Sequence, residues 1–154
     1  MEDQRTEEVR LIEDLLGRRP QGKFAVVVRR DDGTPRVIKN SPFLDDGTPM
    51  PTLYWLIDPL DKLRISRLES KGAIQIAEAE IGLEKIAEAH RKYEEERNKD
   101  VSENHFGPVP SGGVGGTRAG IKCLHAHYAW FLAGGEDPVG DWIDHQLKIE
   151  DLRE

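Results

Sequence analysis

Cysteine is nearly absent from this chain. The single residue Cys123 excludes an internal disulfide framework. Long apolar runs are absent as well, and none approaches the roughly 18 residues that a bilayer requires. The opening Met1-Glu2-Asp3-Gln4-Arg5 is acidic and polar with no apolar stretch behind it, so no signal peptide is expected. A cytoplasmic location is the expectation from these absences. Positive charge is in deficit: 22 Lys and Arg stand against 29 Asp and Glu, for a net charge of −7. That balance argues against general nucleic-acid binding, which needs a basic surface to neutralise phosphates. It leaves room for a local basic pocket, since net charge does not say where the charges sit.

The 154 residues are 37% hydrophobic and 33% charged. This suits one domain over residues 1–154, with a core that needs no disulfide or metal and a heavily solvated surface. Residues 4–16 carry Leu11, Ile12, Leu15 and Leu16 at helical spacing, with Val9 at the edge of the stripe and Gly17 as the stop. After the basic turn Arg18-Arg19-Pro20-Gln21-Gly22, the apolar run Phe24–Val28 predicts a buried strand. An internal repeat follows: Asp31-Asp32-Gly33-Thr34-Pro35 returns as Asp45-Asp46-Gly47-Thr48-Pro49. Asp-Gly tolerates positive φ and proline interrupts a ladder, so the first copy reads as a hairpin turn between Phe24–Arg30 and Arg36–Asn40. The second precedes a strand over Thr52–Ile57. Paired aspartates before glycine also suggest calcium, but the rest of the ligand loop and its terminal glutamate are missing.

Helices dominate what remains. Asp58-Pro59 predicts a capped helix running to Ser70, with a break at Gly72. Residues 73–98 continue as helix, divided at Gly82 where the apolar stripe changes side. Ile74, Ala77 and Ile81 share one face; Ile76, Leu83, Ala87 and His90 share the other. Residues 101–119 form a loop and 121–133 a helix closed by Gly134-Gly135. Asp137-Pro138 then caps a last helix reaching Leu152. The order of elements predicts an α+β fold, a small antiparallel sheet of about three strands covered by several helices.

Candidate chemistry concentrates in Ser111-Gly112-Gly113-Val114-Gly115-Gly116-Thr117-Arg118-Ala119-Gly120-Ile121-Lys122-Cys123-Leu124-His125-Ala126-His127. A glycine-rich loop entering a helix, with Arg118 and Lys122 at the junction, suits an anion, because backbone N–H groups and the helix dipole both favour negative charge. It is neither a Walker A loop nor a dinucleotide fingerprint. On a helix from Ile121, the residues Cys123 and His127 lie one turn apart. They would form a thiolate–imidazole pair or two metal ligands, with Asp141 and His145 as further donors or as a surface pair. His125 falls at the edge of the apolar stripe, as a core histidine or as an alternative base for Cys123. Arg67 shares a helical face with Leu60 and Leu63, which points its guanidinium inward, toward Glu69 or toward a ligand in a cavity lined by Tyr54 and Trp55. His90 and Tyr93 read as packing residues.

Several ordered segments resemble the bacterial family known as domain of unknown function 501. They are Gly17-Arg18 to Gly22, Asp46-Gly47-Thr48-Pro49-Met50-Pro51-Thr52-Leu53-Tyr54, Ser66-Arg67-Leu68-Glu69, Lys122-Cys123-Leu124-His125 and Asp137-Pro138-Val139-Gly140. The resemblance spans nearly the whole chain. It implies a small cytoplasmic bacterial protein and supplies no reaction, cofactor or catalytic residue.

Three functions stay open at this level. One is an enzyme or binding protein for a small phosphorylated or carboxylated metabolite, with Arg118, Lys122 and Arg67 holding the anion and Cys123 with His125 or His127 reacting. A second is a non-enzymatic interaction or regulatory module. The third is a structural metal site at Cys123 and the histidines. An enzyme pocket would gather Arg67, Arg118, Lys122 and Cys123 in one cavity; a module would scatter them.

Overall fold

The computed structural model describes residues 2–153, with side chains from residue 7 onward. Its sheet has the order β1-β2-β3, built from β1 (Gly22–Arg29), β2 (Pro35–Leu44) and β3 (Tyr54–Leu56), all antiparallel. Both copies of the repeat make the same turn. Asp32 Oδ1 accepts from Thr34 N and Asp46 Oδ1 from Thr48 N, each at 2.9 Å, while Gly33 and Gly47 take φ of 92° and 88°. The side chain satisfies an amide that the reversing chain leaves unpaired, and glycine adopts the φ that other residues resist. β3 is shorter than the span Thr52–Ile57 expected for it, although Ile57 N still donates to Arg36 O at 2.9 Å.

Two apolar layers pack on the two faces of the sheet. The central strand β2 is buried on both: Val37 joins the main core and Ile38 a second cluster with Ile12 and Ile57. Each such side chain contributes on the order of 1.5–3 kcal/mol by leaving water. β1 differs from the buried strand that its apolar run predicts. Its residues alternate between half-buried and exposed, and Val27 is 43% exposed, because an edge strand has a neighbouring strand on one side only. The ladder slips between Val26 and Val28, so Val26 packs on the second cluster and Val28 on the main core. An irregularity of this kind exchanges the faces of a strand.

The helix α1 (Glu2–Leu16) supplies Ile12 to the second cluster and ends at Gly17, whose φ is 75°. The remaining helices are α2 (Pro59–Ser70), α3 (Ala73–Ile81), α4 (Leu83–Asn98), α5 (Leu124–Leu132) and α6 (Pro138–Arg153). Asp58 caps α2 as expected, Oδ1 accepting from Leu60 N at 2.8 Å and Asp61 N at 3.1 Å. Asp58 also pairs with Arg30, and Asp61 takes Arg36 at 2.9 and 3.1 Å. This charge cluster fastens the first hairpin to α2. Gly82 divides α3 from α4 with φ 95° and ψ 139°, and this conformation rotates the helical phase. Ile76 and Leu83, expected on a buried stripe, are therefore 48% and 60% exposed. The buried positions of α4 are Ile86, Ala89, His90, Tyr93 and Arg97.

Arg97 is fully buried and donates to three carbonyls: Gly112 O at 2.8 Å, Pro51 O at 3.0 Å and Pro110 O at 3.3 Å. Tyr93 and His90, read as packing residues, are polar pins too. Tyr93 Oη accepts from Leu53 N at 2.6 Å. His90 Nδ1 accepts from Val114 N at 3.0 Å, and Nε2 donates to Gly120 O at 2.7 Å. Residues of α4 thus hold both ends of the glycine-rich loop. No helix among the described residues is long and apolar enough to cross a membrane.

Candidate functional site

The helix α5 begins at Leu124, not Ile121, and this alters the chemistry. Cys123 stands before it in an extended conformation, φ −155° and ψ 126°. The one-turn spacing that would bring Cys123 to His127 therefore does not apply. His127 is fully buried and its Nδ1 meets Asp137 Oδ2 at 2.7 Å. Asp137 also accepts from Val139 N at 3.0 Å, so this pair secures the entry to α6. The partner of Cys123 is His125, with Sγ 3.5 Å from Nδ1. An extended residue just before a helix lies beside the side chain two positions on, which helical periodicity does not reveal.

The surroundings of His125 fix its tautomer. Nε2 lies 3.1 Å from the Lys62 carbonyl and 3.2 Å from Ser66 Oγ, both on α2. A carbonyl only accepts, so Nε2 carries the hydrogen and Nδ1 presents its lone pair to Cys123. Glu69 Oε1 is 3.3 Å from the same Nδ1. The other Glu69 oxygen accepts from Leu124 N at 3.0 Å, where the first orphan amides of α5 favour a carboxylate. Burial is the largest single influence and pushes the Cys123 thiol up, but the His125 hydrogen bond, the Ala126 N–H and the charge of His125 together outweigh it, and the thiol falls below its ordinary value. His125 is raised, chiefly by Cys123, with burial opposing and Lys62 and Glu69 assisting. Both shifts favour a thiolate–imidazolium pair.

This pair stands on the wall of a cavity of about 440 Å³ between the end of α1, the strand β3 and the start of α5. Leu16, Leu56 and Ala126 are its aliphatic lining, and Tyr54 and Trp55 its aromatic one. Arg18 and Lys122 are exposed at its rim, with the Arg18 guanidinium 4.8 Å from the centroid of the Trp55 ring. Among the described residues neither cation forms an ion pair. Gly115, at φ 69°, brings the glycine-rich loop against the aliphatic chain of Lys122.

The candidates from sequence divide accordingly. Tyr54, Lys122, Cys123 and His125 meet at the cavity, with Glu69 behind them. Tyr54 directs its hydroxyl away, to Glu96 Oε2 at 2.7 Å, and burial followed by that carboxylate raises its pKa. Arg67 does not point inward: it is exposed along with Leu60 and Leu63, because α2 turns Ile65 and Leu68 to the core. The partner expected for it, Glu69, serves His125 instead. Arg118 is exposed, lies outside the cavity lining and pairs with Glu94 at 3.7 Å. Asp141 and His145 are exposed and stand outside the Cys123 cluster. Some of the loop amides are taken by the protein itself: Gly113 N by Thr117 O, Gly116 N by Gly113 O and Ile121 N by Glu78 Oε2. At those three amides the protein's own oxygens stand where an anion was expected.

Sequence reasoning missed Arg18, read as part of a turn, and Ser66. The segments Gly17-Arg18 and Ser66-Arg67-Leu68-Glu69 were the available signal, since Arg18 lines the cavity and Ser66 and Glu69 contact His125. A family model described as a protein of unknown function, DUF501, matches residues 26–145. That span holds the Cys123 cluster and leaves Leu16 and Arg18 outside it. No curated protein and no solved structure matches the chain.

Proposed function

The chain belongs to the DUF501 family, whose description carries no activity, and from the geometry we propose that it acts on a small carboxylated or phosphorylated metabolite through Cys123. The carrying observation is the 3.5 Å approach of Cys123 Sγ to His125 Nδ1 on the wall of a ligand-sized cavity. A nucleophile, a base within reach and a group orienting that base are the recurring parts of covalent catalysis. Here the Lys62 carbonyl orients His125, and Nδ1 takes the thiol proton. The thiolate attacks an electrophilic carbon of the metabolite and a C–S bond forms. The leaving group departs with the electrons of the broken bond and receives the proton from Nδ1. Water then cleaves the C–S bond, giving its proton to His125 and restoring the thiol. Glu69, beside Nδ1, stabilises the imidazolium between these steps.

Lys122 and Arg18 hold the anionic group at the rim, and Trp55 offers a flat wall beside it. An interaction module gives no reason for a thiol, a base and two rim cations to share one cavity. A lone unbridged cysteine of this kind is in keeping with the bacterial cytoplasm as its place of work.

Alkylation with iodoacetate and with iodoacetamide, read by mass spectrometry on metal-stripped protein, tests the proposal. Cys123 is expected to react faster than glutathione at neutral pH, and to prefer the anionic reagent relative to glutathione. Lys122→Ala and Arg18→Ala should remove the preference, and His125→Gln should slow both reagents. A thiol no faster than glutathione and indifferent to reagent charge would end this reading.

A further inference from the structure

The Cys123 cluster has a second property, independent of whether the thiolate attacks a substrate: we propose that Glu69, Cys123 and His125 form a zinc site with its fourth position open to the cavity. One carboxylate oxygen, Sγ and Nδ1 lie within 4.8 Å of one another. Around a tetrahedral zinc, with bonds of about 2.3 Å to sulfur and about 2.0–2.2 Å to nitrogen and oxygen, the S–N edge is about 3.5 Å and the N–O edge about 3.3 Å. The observed separations are 3.5 Å for Sγ to Nδ1 and 3.3 Å for Nδ1 to Glu69 Oε1. Two edges of the tetrahedron are therefore already in place, and the third, from Sγ to the carboxylate oxygen, is no longer than 4.8 Å.

The outer contacts are those a zinc ligand set requires. His125 must bind through the nitrogen lacking a hydrogen, and the Lys62 carbonyl keeps the hydrogen on Nε2. An imidazole so oriented by a carbonyl is the usual support of a metal-bound histidine. The second Glu69 oxygen is held by Leu124 N at 3.0 Å, which leaves Oε1 for the metal. A thiolate with an imidazole selects zinc over magnesium or calcium, which take oxygen ligands. Cys123 and His125 both line the cavity, so water or the bound molecule completes the tetrahedron. The Sγ lone pair that binds the metal is the one that would attack carbon. Zinc and a covalent substrate therefore exclude each other, and the metal-loaded protein is silent in the thiol reaction.

The test titrates the metal-stripped full chain with cobalt(II), then displaces it with zinc. One equivalent should bind with tetrahedral visible bands and a thiolate-to-cobalt charge-transfer band, and zinc should protect Cys123 from iodoacetamide until a chelator is added. Cys123→Ser should abolish the charge-transfer band. Glu69→Gln should weaken zinc by at least the roughly tenfold typical of lost metal-site support, and His145→Ala, on the exposed face of α6, should change nothing. Prior alkylation of Cys123 repeats the cysteine test on natively folded wild-type protein. Cobalt bound without a charge-transfer band, or zinc affinity indifferent to Cys123 and Glu69, overturns the site. Fast alkylation of stripped protein that binds no zinc rejects the metal and leaves the covalent proposal standing; slow alkylation with tight zinc does the reverse.

Discussion

Arg97→Met removes a buried guanidinium while keeping most of the aliphatic stem. In the native fold the side chain is 0% exposed and donates to the carbonyls of Pro51, Gly112 and Pro110. Burial lowers the Arg97 pKa, with Glu94 opposing, so the charge is held at a cost that its hydrogen bonds offset. Methionine donates to none of the carbonyls. Each buried acceptor left without a partner costs about 1–3 kcal/mol, and water reaching the partly exposed Pro51 side places that residue at the low end. Relief of the guanidinium's desolvation returns part of the loss. A net destabilisation of about 2–4 kcal/mol is expected from these terms. At about 2–4 °C per kcal/mol for a chain of this size, the melting temperature falls by about 5–15 °C. Thermal unfolding followed by circular dichroism measures it, with urea unfolding to show that the m-value is unchanged. Arg97→Lys should fall between, because one ammonium cannot span three carbonyls. Limited proteolysis should also cut residues 102–112 faster in Arg97→Met, since Arg97 ties that loop to α4. A melting temperature within a degree of wild type would refute the assignment of Arg97 as the tie.

Gly113→Ala places a Cβ 2.6 Å from His90 Cα, so the loop must lift from α4; a loss of about 1–3 kcal/mol is expected in urea unfolding, and an unchanged midpoint would show that the loop yields freely. His90 has its pKa lowered, first by burial, with the Gly120 carbonyl opposing. The unfolded chain therefore binds the proton more readily, and stability falls as pH drops below about 6.5 toward the depressed folded value. His90→Gln should flatten the urea midpoint against pH in that window, and an unaltered slope would assign the dependence elsewhere. Asp58 is held below the usual carboxylate range: burial opposes, and Arg30 with the Asp61 and Leu60 amides prevails. Its contribution is full above about pH 4 and is lost as pH falls through the folded value. Asp58→Ala should cost about 1 kcal/mol more than Asp58→Asn, which keeps a capping oxygen; equal midpoints would show that the cap carries little.

Local chemistry was legible in the residues themselves. Asp-Gly-Thr-Pro makes the same turn twice, because each copy contains the aspartate, the positive-φ glycine and the amide it needs. Asp58-Pro59 starts α2, and Gly82 divides α3 from α4, for equally local reasons. Lys122-Cys123-Leu124-His125, singled out in the sequence, supplies three residues that line the cavity. What the stretch does was not legible, because it depends on where α5 begins. Glu69 comes from α2 to take the Leu124 amide and Lys62 comes from the same helix to hold His125. Those long-range contacts set Cys123 against His125, and they send His127 inward to Asp137.

The same division explains the errors. Periodicity reports which residues share a face, but not which face meets the core. Arg67 therefore read as buried and proved exposed, while Arg97 lies buried among carbonyls contributed by two distant loops. Sequence by itself determined the turns, the caps and the helix breaks, since each follows from forces acting over a few residues. Only the tertiary structure decided which side chains meet. Burying a charge or a lone pair is tolerable solely where distant parts of the chain supply its partner.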